Sequence, residues 1–180
     1  MFTKVVATFI VTLAMSAPAW AADREDLAIF QDVSRQVLQY PRFTVFDSIY
    51  AQVDKGVVTL SGKVTMPFKR DDIERRVAKI EGVHGVRNEI TALPVSRFDD
   101  DLRFRIARAI YGASNFWSYG AMVNPPLHII VEGGRVTLEG VVNSNIDRML
   151  ARSIASGHGA LSVTNNLKTD AEVEAELETL

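Results

Sequence analysis

Gly56-Val57-Val58-Thr59-Leu60-Ser61-Gly62-Lys63-Val64 returns as Gly134-Arg135-Val136-Thr137-Leu138-Glu139-Gly140-Val141-Val142. Each copy is followed by a helical stretch and then by Val86-Arg87-Asn88 or Val163-Thr164-Asn165. The spacing is 78 residues at Gly62 and Gly140 and 77 at Asn88 and Asn165, so one supersecondary unit occurs twice in nearly constant register.

In the first copy, Ile49, Ala51 and Val53 alternate with polar residues, a turn falls at Lys55-Gly56, and Val58, Leu60 and Val64 continue the apolar face. Leu127, Ile129 and Val131, a Gly133-Gly134 turn, and Val136, Leu138 and Val142 repeat the pattern. Such alternation predicts hairpins with one buried and one wet face. Gly62 and Gly140 fall on the inward side, where a missing side chain suits close approach of a helix, or a bulge.

Helical stripes flank each hairpin. Ile29, Val33, Val37 and Tyr40 precede the first, and Leu102, Ile106, Ala109 and Ile110 precede the second. Asp99, Asp100 and Asp101 read as an N-cap with first-turn charge. After the hairpins come Ile73, Val77 and Ile80, answered by Leu150, Ile154 and Gly157. Lys69, Arg70, Arg75, Arg76 and Lys79, interleaved with Asp71, Asp72 and Glu74, read as a solvated, ion-paired face. Gly82 and Gly159 stop these helices. Val83, Val86 and Ile90, or Val163 and Leu167, form a last strand, on which Asn88 and Asn165 point inward and so need hydrogen-bond partners. The predicted fold is α+β: two tandem α-β-β-α-β units, each a small three-stranded mixed sheet covered by two helices. The expected boundaries are a leader at 1–21, units at 24–94 and 100–170 joined by a linker at 95–99, and an acidic tail at 171–180. Val173, Leu177 and Leu180 form a stripe in that tail, which suits a short docked helix or disorder.

The element order, the G-x-V-T-L-x-G-x-V hairpin and the ending Gly82-Val83-His84-Gly85-Val86-Arg87-Asn88 together resemble the BON domain, over about residues 25–94 and 100–170. The second copy departs from the pattern at Ser156-Gly157-His158-Gly159-Ala160-Leu161. Its connection from the first helix to the hairpin is also longer. The resemblance implies an exported, non-catalytic envelope protein, similar to the osmotically inducible periplasmic proteins. Such a protein binds phospholipid membranes or assists other envelope proteins under osmotic or folding stress.

Lys4, the apolar run Val5 to Ala14 and Ala19-Trp20-Ala21 predict a secretory leader cleaved after Ala21 and hence a periplasmic location. The chain has no cysteine, which excludes disulfides, thiolate catalysis, cysteine-ligated metals and a lipoprotein anchor. Its net charge of −2 disfavours general attraction to nucleic acid or anionic surfaces. His84, His128 and His158 lack metal-ligand spacing, and His128 alternates outward on its strand. No nucleophile elbow, phosphate loop or acid-base pair is present, so neither an enzyme nor a cofactor is expected. Gly82-Val83-His84-Gly85 matches the tetrapeptide of RNA-binding KH modules, but here it joins a helix to a strand, and the second copy lacks it.

The segment from Gly112 to Pro126 holds Phe116, Trp117 and Tyr119 and serves either as a lid over the core or as an exposed contact surface. Under the second reading, Phe116, Trp117 and Tyr119 insert into an anionic phospholipid membrane while Arg103, Arg105 and Arg108 meet headgroups. The competing expectation is a periplasmic chaperone or adaptor that contacts proteins through sheet edges or this segment. Gly56, Gly62, Gly82, Asn88, Gly134, Gly140 and Asn165 are expected to be structural.

Overall fold

The computed structural model describes residues 19–178. The expected leader lies outside them except for its last three residues, as does Leu180. The first unit contains α1 (Ala19–Leu38), β1 (Ser48–Asp54), β2 (Val57–Val64), α2 (Pro67–Val77) and β3 (Gly85–Ala92). The second repeats the order as α3 (Arg97–Tyr111), β4 (Leu127–Glu132), β5 (Arg135–Val142), α5 (Asn145–Ser156) and β6 (Ser162–Thr169). A 3-10 turn at Ser114–Phe116 and the short α4 (Trp117–Gly120) occupy its longer connection, and α6 (Asp170–Glu178) follows β6.

Each hairpin is closed by a two-residue turn with both central residues at positive φ: 49° and 75° at Lys55 and Gly56, 57° and 73° at Gly133 and Gly134. This type I′ geometry matches the right-handed twist of paired strands. A helical crossover then returns the chain parallel to the central strand, giving the orders β1-β2-β3 and β4-β5-β6. Two helices cover one face of each sheet. Val33, Leu60, Ile73, Val77 and Ile90 are buried in the first core, and Leu102, Ile106, Leu138, Ala151 and Ala155 in the second. Each fully buried Val, Leu or Ile side chain contributes about 1.5–3 kcal/mol.

Several sequence readings change. The N-cap of α3 is Ser96, whose hydroxyl accepts the Asp99 N–H at 3.2 Å. Asp99 is buried, and its carboxylate accepts the N–H groups of Gly133 and Gly134 at 2.8 and 2.7 Å. Asp26 holds Lys55 and Gly56 in the same way, at 2.8 and 2.9 Å. These carboxylates fix the turns, where backbone donors would otherwise lack partners inside the fold. Lys69 leaves the solvated face and is buried against Asp47, Nζ to Oδ2 2.6 Å. Gly62 and Gly140 accommodate strand backbone rather than a helix. A Cβ would lie 2.1 Å from the Ser48 carbonyl oxygen at Gly62 and 1.9 Å from that of Pro126 at Gly140.

Asn88 and Asn165 fasten the second helix of each unit to the last strand. Their Nδ2 groups donate to the Arg70 and Arg148 carbonyls at 3.1 and 2.8 Å. The acidic tail begins with a capping box: Thr169 Oγ1 accepts the Glu172 N–H, and Glu172 accepts the Thr169 N–H at 2.9 Å. Arg148 pairs with Glu172, and Val173 is half-buried.

The two units meet through the segment before β1. Residues 43–47 lie along β4: the Ile129 N–H donates to the Val45 carbonyl at 2.7 Å, and Phe46 packs edge-on against Phe104 with centroids 4.9 Å apart. Asp47 anchors this strap by accepting the Thr44 and Thr65 N–H groups and binding Lys69. The solvent-facing sides of the two sheets also approach each other, joined by a Lys63–Glu132 ion pair. Ile130, outward by alternation, is buried there. Burial and the hydrogen bond to Glu139 push the Tyr50 hydroxyl up to about 12.

Candidate functional site

The segment that separates the two units most clearly is Gly112 to Pro126. Its two short helical turns place Phe116 and Tyr119 three residues apart on the inner side, where both are buried with ring centroids 5.8 Å apart. Tyr119 Oη accepts the Asn143 N–H at 2.9 Å, which ties the segment to the start of α5. Trp117, pointing the other way, is 74% exposed. The segment is thus both lid and surface.

The arginines divide similarly. Arg103, expected at the surface, is buried; Nη2 donates to the Val131 carbonyl at 3.4 Å and Nη1 lies 3.3 Å from Asp100. The inner stripe of α3 runs through Leu102, Ile106 and Ile110, and Arg103 sits beside it over β4. Arg105 and Arg108 stay on the outer face, where Arg105 Nη1 donates to the His158 carbonyl at 3.2 Å. Of the six expected contact residues, Phe116, Tyr119 and Arg103 are therefore removed from the surface by packing. Trp117, Arg105 and Arg108 remain.

Arg105 meets the C-terminal end of α5 while Asn115, just past the end of α3, meets Asp147 near its start at 3.4 Å. The two helices thus run antiparallel in one layer. The outer side of α5 adds Ile146 and Met149, 73% and 71% exposed, beside the Trp117 end, and Arg152 further along. Their sequence signal is a pair of apolar residues one turn apart, Ile146 continuing the four-residue spacing of Leu150 and Ile154 and Met149 lying off it. The helical layer thus exposes Trp117, Ile146 and Met149 toward the start of α5 and turns Arg105 outward at its other end.

His128 faces the strap rather than solvent. Its ring lies 5.4 Å from that of Phe43, and burial holds its pKa below 6.5 although the Thr44 and Asp47 backbones and the Asp47 and Glu139 charges pull upward. In the first unit, Tyr40 Oη donates to Asp72 at 2.6 Å, and Arg75 pairs with the same carboxylate. Arg76 stacks over the Tyr40 ring at 5.0 Å. Burial and Asp72 push the Tyr40 hydroxyl up to about 12. Among the described residues, no cluster of three His, Cys, Asp or Glu side chains is arranged to hold a metal ion, and no helix is long and apolar enough to cross a membrane.

The architecture defines a protein built from two consecutive α-β-β-α-β modules. The BON domain model matches residues 26–94 and 99–171, and the chain belongs to the BON domain family. No curated protein matches it. Among solved structures, it is similar to the C-terminal domain of CdsD, the structural protein of the type III secretion system of Chlamydia trachomatis. That match has 12% identity and a TM-score of 0.35, and covers 83% of this chain and 68% of that one. A second CdsD structure from Chlamydia trachomatis gives 14% identity and a TM-score of 0.30, covering 84% of this chain and 97% of that one.

Proposed function

We propose that this protein is a non-catalytic, exported envelope-maintenance protein that binds anionic phospholipid membrane through the helical layer of its second BON domain. Family membership favours a non-catalytic, envelope-associated role. The observation that carries the lipid reading is the joint exposure of Trp117, Ile146 and Met149 on the layer that also turns Arg105 and Arg108 outward. Large apolar side chains gain about 1.5–3 kcal/mol each on full burial. Arginines near an anionic surface add about 1 kcal/mol apiece. The net negative chain would not be drawn to such a surface as a whole, so attraction has to be local. Trp117 takes the role first assigned to three aromatic residues, and Ile146 and Met149 replace Phe116 and Tyr119.

The test is Trp117 fluorescence in the protein from Ala22 onward, which lacks Trp20 and the apolar leader, with vesicles of phosphatidylglycerol or phosphatidylcholine. A blue shift and co-sedimentation with phosphatidylglycerol vesicles alone are expected. An unchanged spectrum without co-sedimentation overturns the proposal.

A further inference from the structure

The first strand of each unit is a sheet edge, and the two edges are finished differently. Counting from the type I′ turns, Ile49, Ala51 and Val53 point their N–H and C=O groups away from the partner strand, as do Leu127, Ile129 and Val131. In β4 each of these residues finds a partner within the chain. Tyr111 Oη donates to the Leu127 carbonyl, the Val45 carbonyl accepts the Ile129 N–H at 2.7 Å, and Arg103 Nη2 donates to the Val131 carbonyl at 3.4 Å.

Among the described residues, the first unit lacks this finish. Asp26 and Asp99, which hold equivalent turns, set the correspondence between α1 and α3. It places Phe30 where the second unit has Arg103 and Leu38 where it has Tyr111. Neither side chain can donate a hydrogen bond. Both are exposed, at 41% and 46%, and with Val37, Phe43, Ile49 and Tyr50 they border an apolar groove of about 330 Å³ along β1, closed at one end by Pro126 and His128. The inward residues of β1 register the missing cover. Ile49, Ala51 and Val53 are only half-buried, whereas Leu127, Ile129 and Val131 are fully buried.

We propose that the β1 edge and the groove beside α1 are the docking site for an extended segment of a partner polypeptide, which adds a fourth strand to the first sheet. The second unit supplies the mode of binding: its corresponding edge is met by extended backbone at Val45, with Phe46 as an aromatic anchor. Where polar caps are replaced by Phe30 and Leu38, main-chain hydrogen bonds have to come from outside, together with apolar side chains. Phe30, Ser34 and Leu38 carry no charge, so the partner is uncharged where it faces α1 and free of proline opposite β1. The β1 edge belongs to the first unit, away from the α3–α5 layer, and the site is independent of the lipid reading.

The probe is a fluorescein-labelled Lys-Thr-Val-Thr-Val-Thr-Lys peptide, followed by anisotropy and by amide exchange in the intact protein. Binding is expected, with at least tenfold slower exchange at the Ala51 amide. The double variant Phe30→Arg with Leu38→Tyr, which installs the caps of the second unit, is expected to weaken binding at least tenfold without altering thermal unfolding. Ala51→Pro is expected to do the same, since its N–H points away from β2. Absence of binding, binding indifferent to the double variant, or protection confined to β3 or β6 overturns the proposal. So does self-association that protects β1 in sedimentation and exchange, which would make a second copy the occupant.

Discussion

The carboxylate of Asp99 accepts the backbone N–H of Gly134 at 2.7 Å, joining the first helix of the second unit to the tip of its hairpin 35 residues later. Asp26 and Gly56 form the same link at 2.9 Å in the first unit. A single carboxylate thus satisfies two turn donors in each repeat. Asp99→Ala is expected to cost about 1–3 kcal/mol for each buried donor left unmet. Asp26→Ala, at a more exposed turn, should cost less. Urea unfolding of both variants checks this, and an Asp99→Ala protein as stable as the parent would refute it.

Gly140→Ala should be among the most damaging small substitutions. The added methyl meets the Pro126 carbonyl oxygen at 1.9 Å and sits on a backbone with φ of 109°. A loss of more than about 3 kcal/mol is expected, from overlap plus a left-handed conformation. Gly85→Ala is the control, because no atom lies within 4 Å of its added methyl. Its unfolding midpoint should stay near the parent value.

Phe116 and Trp117 are neighbours in sequence with opposite expected phenotypes. Phe116→Ala empties a fully buried site and should lose about 3–5 kcal/mol. Trp117→Ala should leave stability within about 0.5 kcal/mol yet reduce binding to phosphatidylglycerol vesicles. Thermal unfolding and co-sedimentation on the same samples separate the two effects.

Asp47→Ala leaves the Lys69 ammonium buried without its counter-charge and frees the strap that leads to Val45. Removing one partner of a buried pair costs about 3–5 kcal/mol. Lys69→Met should cost less than Asp47→Ala, since Asp47 keeps its Thr44 and Thr65 donors. Chemical denaturation of the two variants gives the order.

His128 sets the expected pH dependence near neutrality. Burial depresses its folded pKa below 6.5, so the unfolded chain takes up the proton first. Stability is therefore full above about pH 6.5 and falls as pH drops from there through the folded value. A thermal midpoint that declines between pH 7.5 and 5.5 in the parent, but not in His128→Leu, is the expected result. Asp72 and Glu172 act in a lower window. The Tyr40 hydroxyl and the Thr169 N–H hold their carboxyls below the usual range, so their contributions are lost only as those carboxyls protonate.

Periodicity exposed the hairpins because Val58, Leu60 and Val64 must share one face wherever the strand is placed. It exposed the inward amides of Asn88 and Asn165 for the same reason. Lys69 was not legible: in sequence it belongs to a run of charged residues, and only the fold brings Asp47, 22 residues earlier, to its ammonium. Arg103 likewise looks like Arg105 and Arg108 until β4 is laid beneath it. The aromatic segment could not be divided in advance, since the direction of each ring depends on two short turns and on the Asn143 N–H that Tyr119 accepts.

By itself the sequence determined the duplication, the order of elements in each unit and the sides of the strands that meet the cores. These follow from local spacing, which strand and helix geometry convert directly into faces. Only the tertiary structure decided that residues 43–47 bind the edge of β4, that Trp117 rather than Phe116 or Tyr119 reaches the surface, and that β1 has no polar caps among the described residues. Those features depend on groups distant in sequence satisfying one another's hydrogen bonds and apolar area, which no local pattern records.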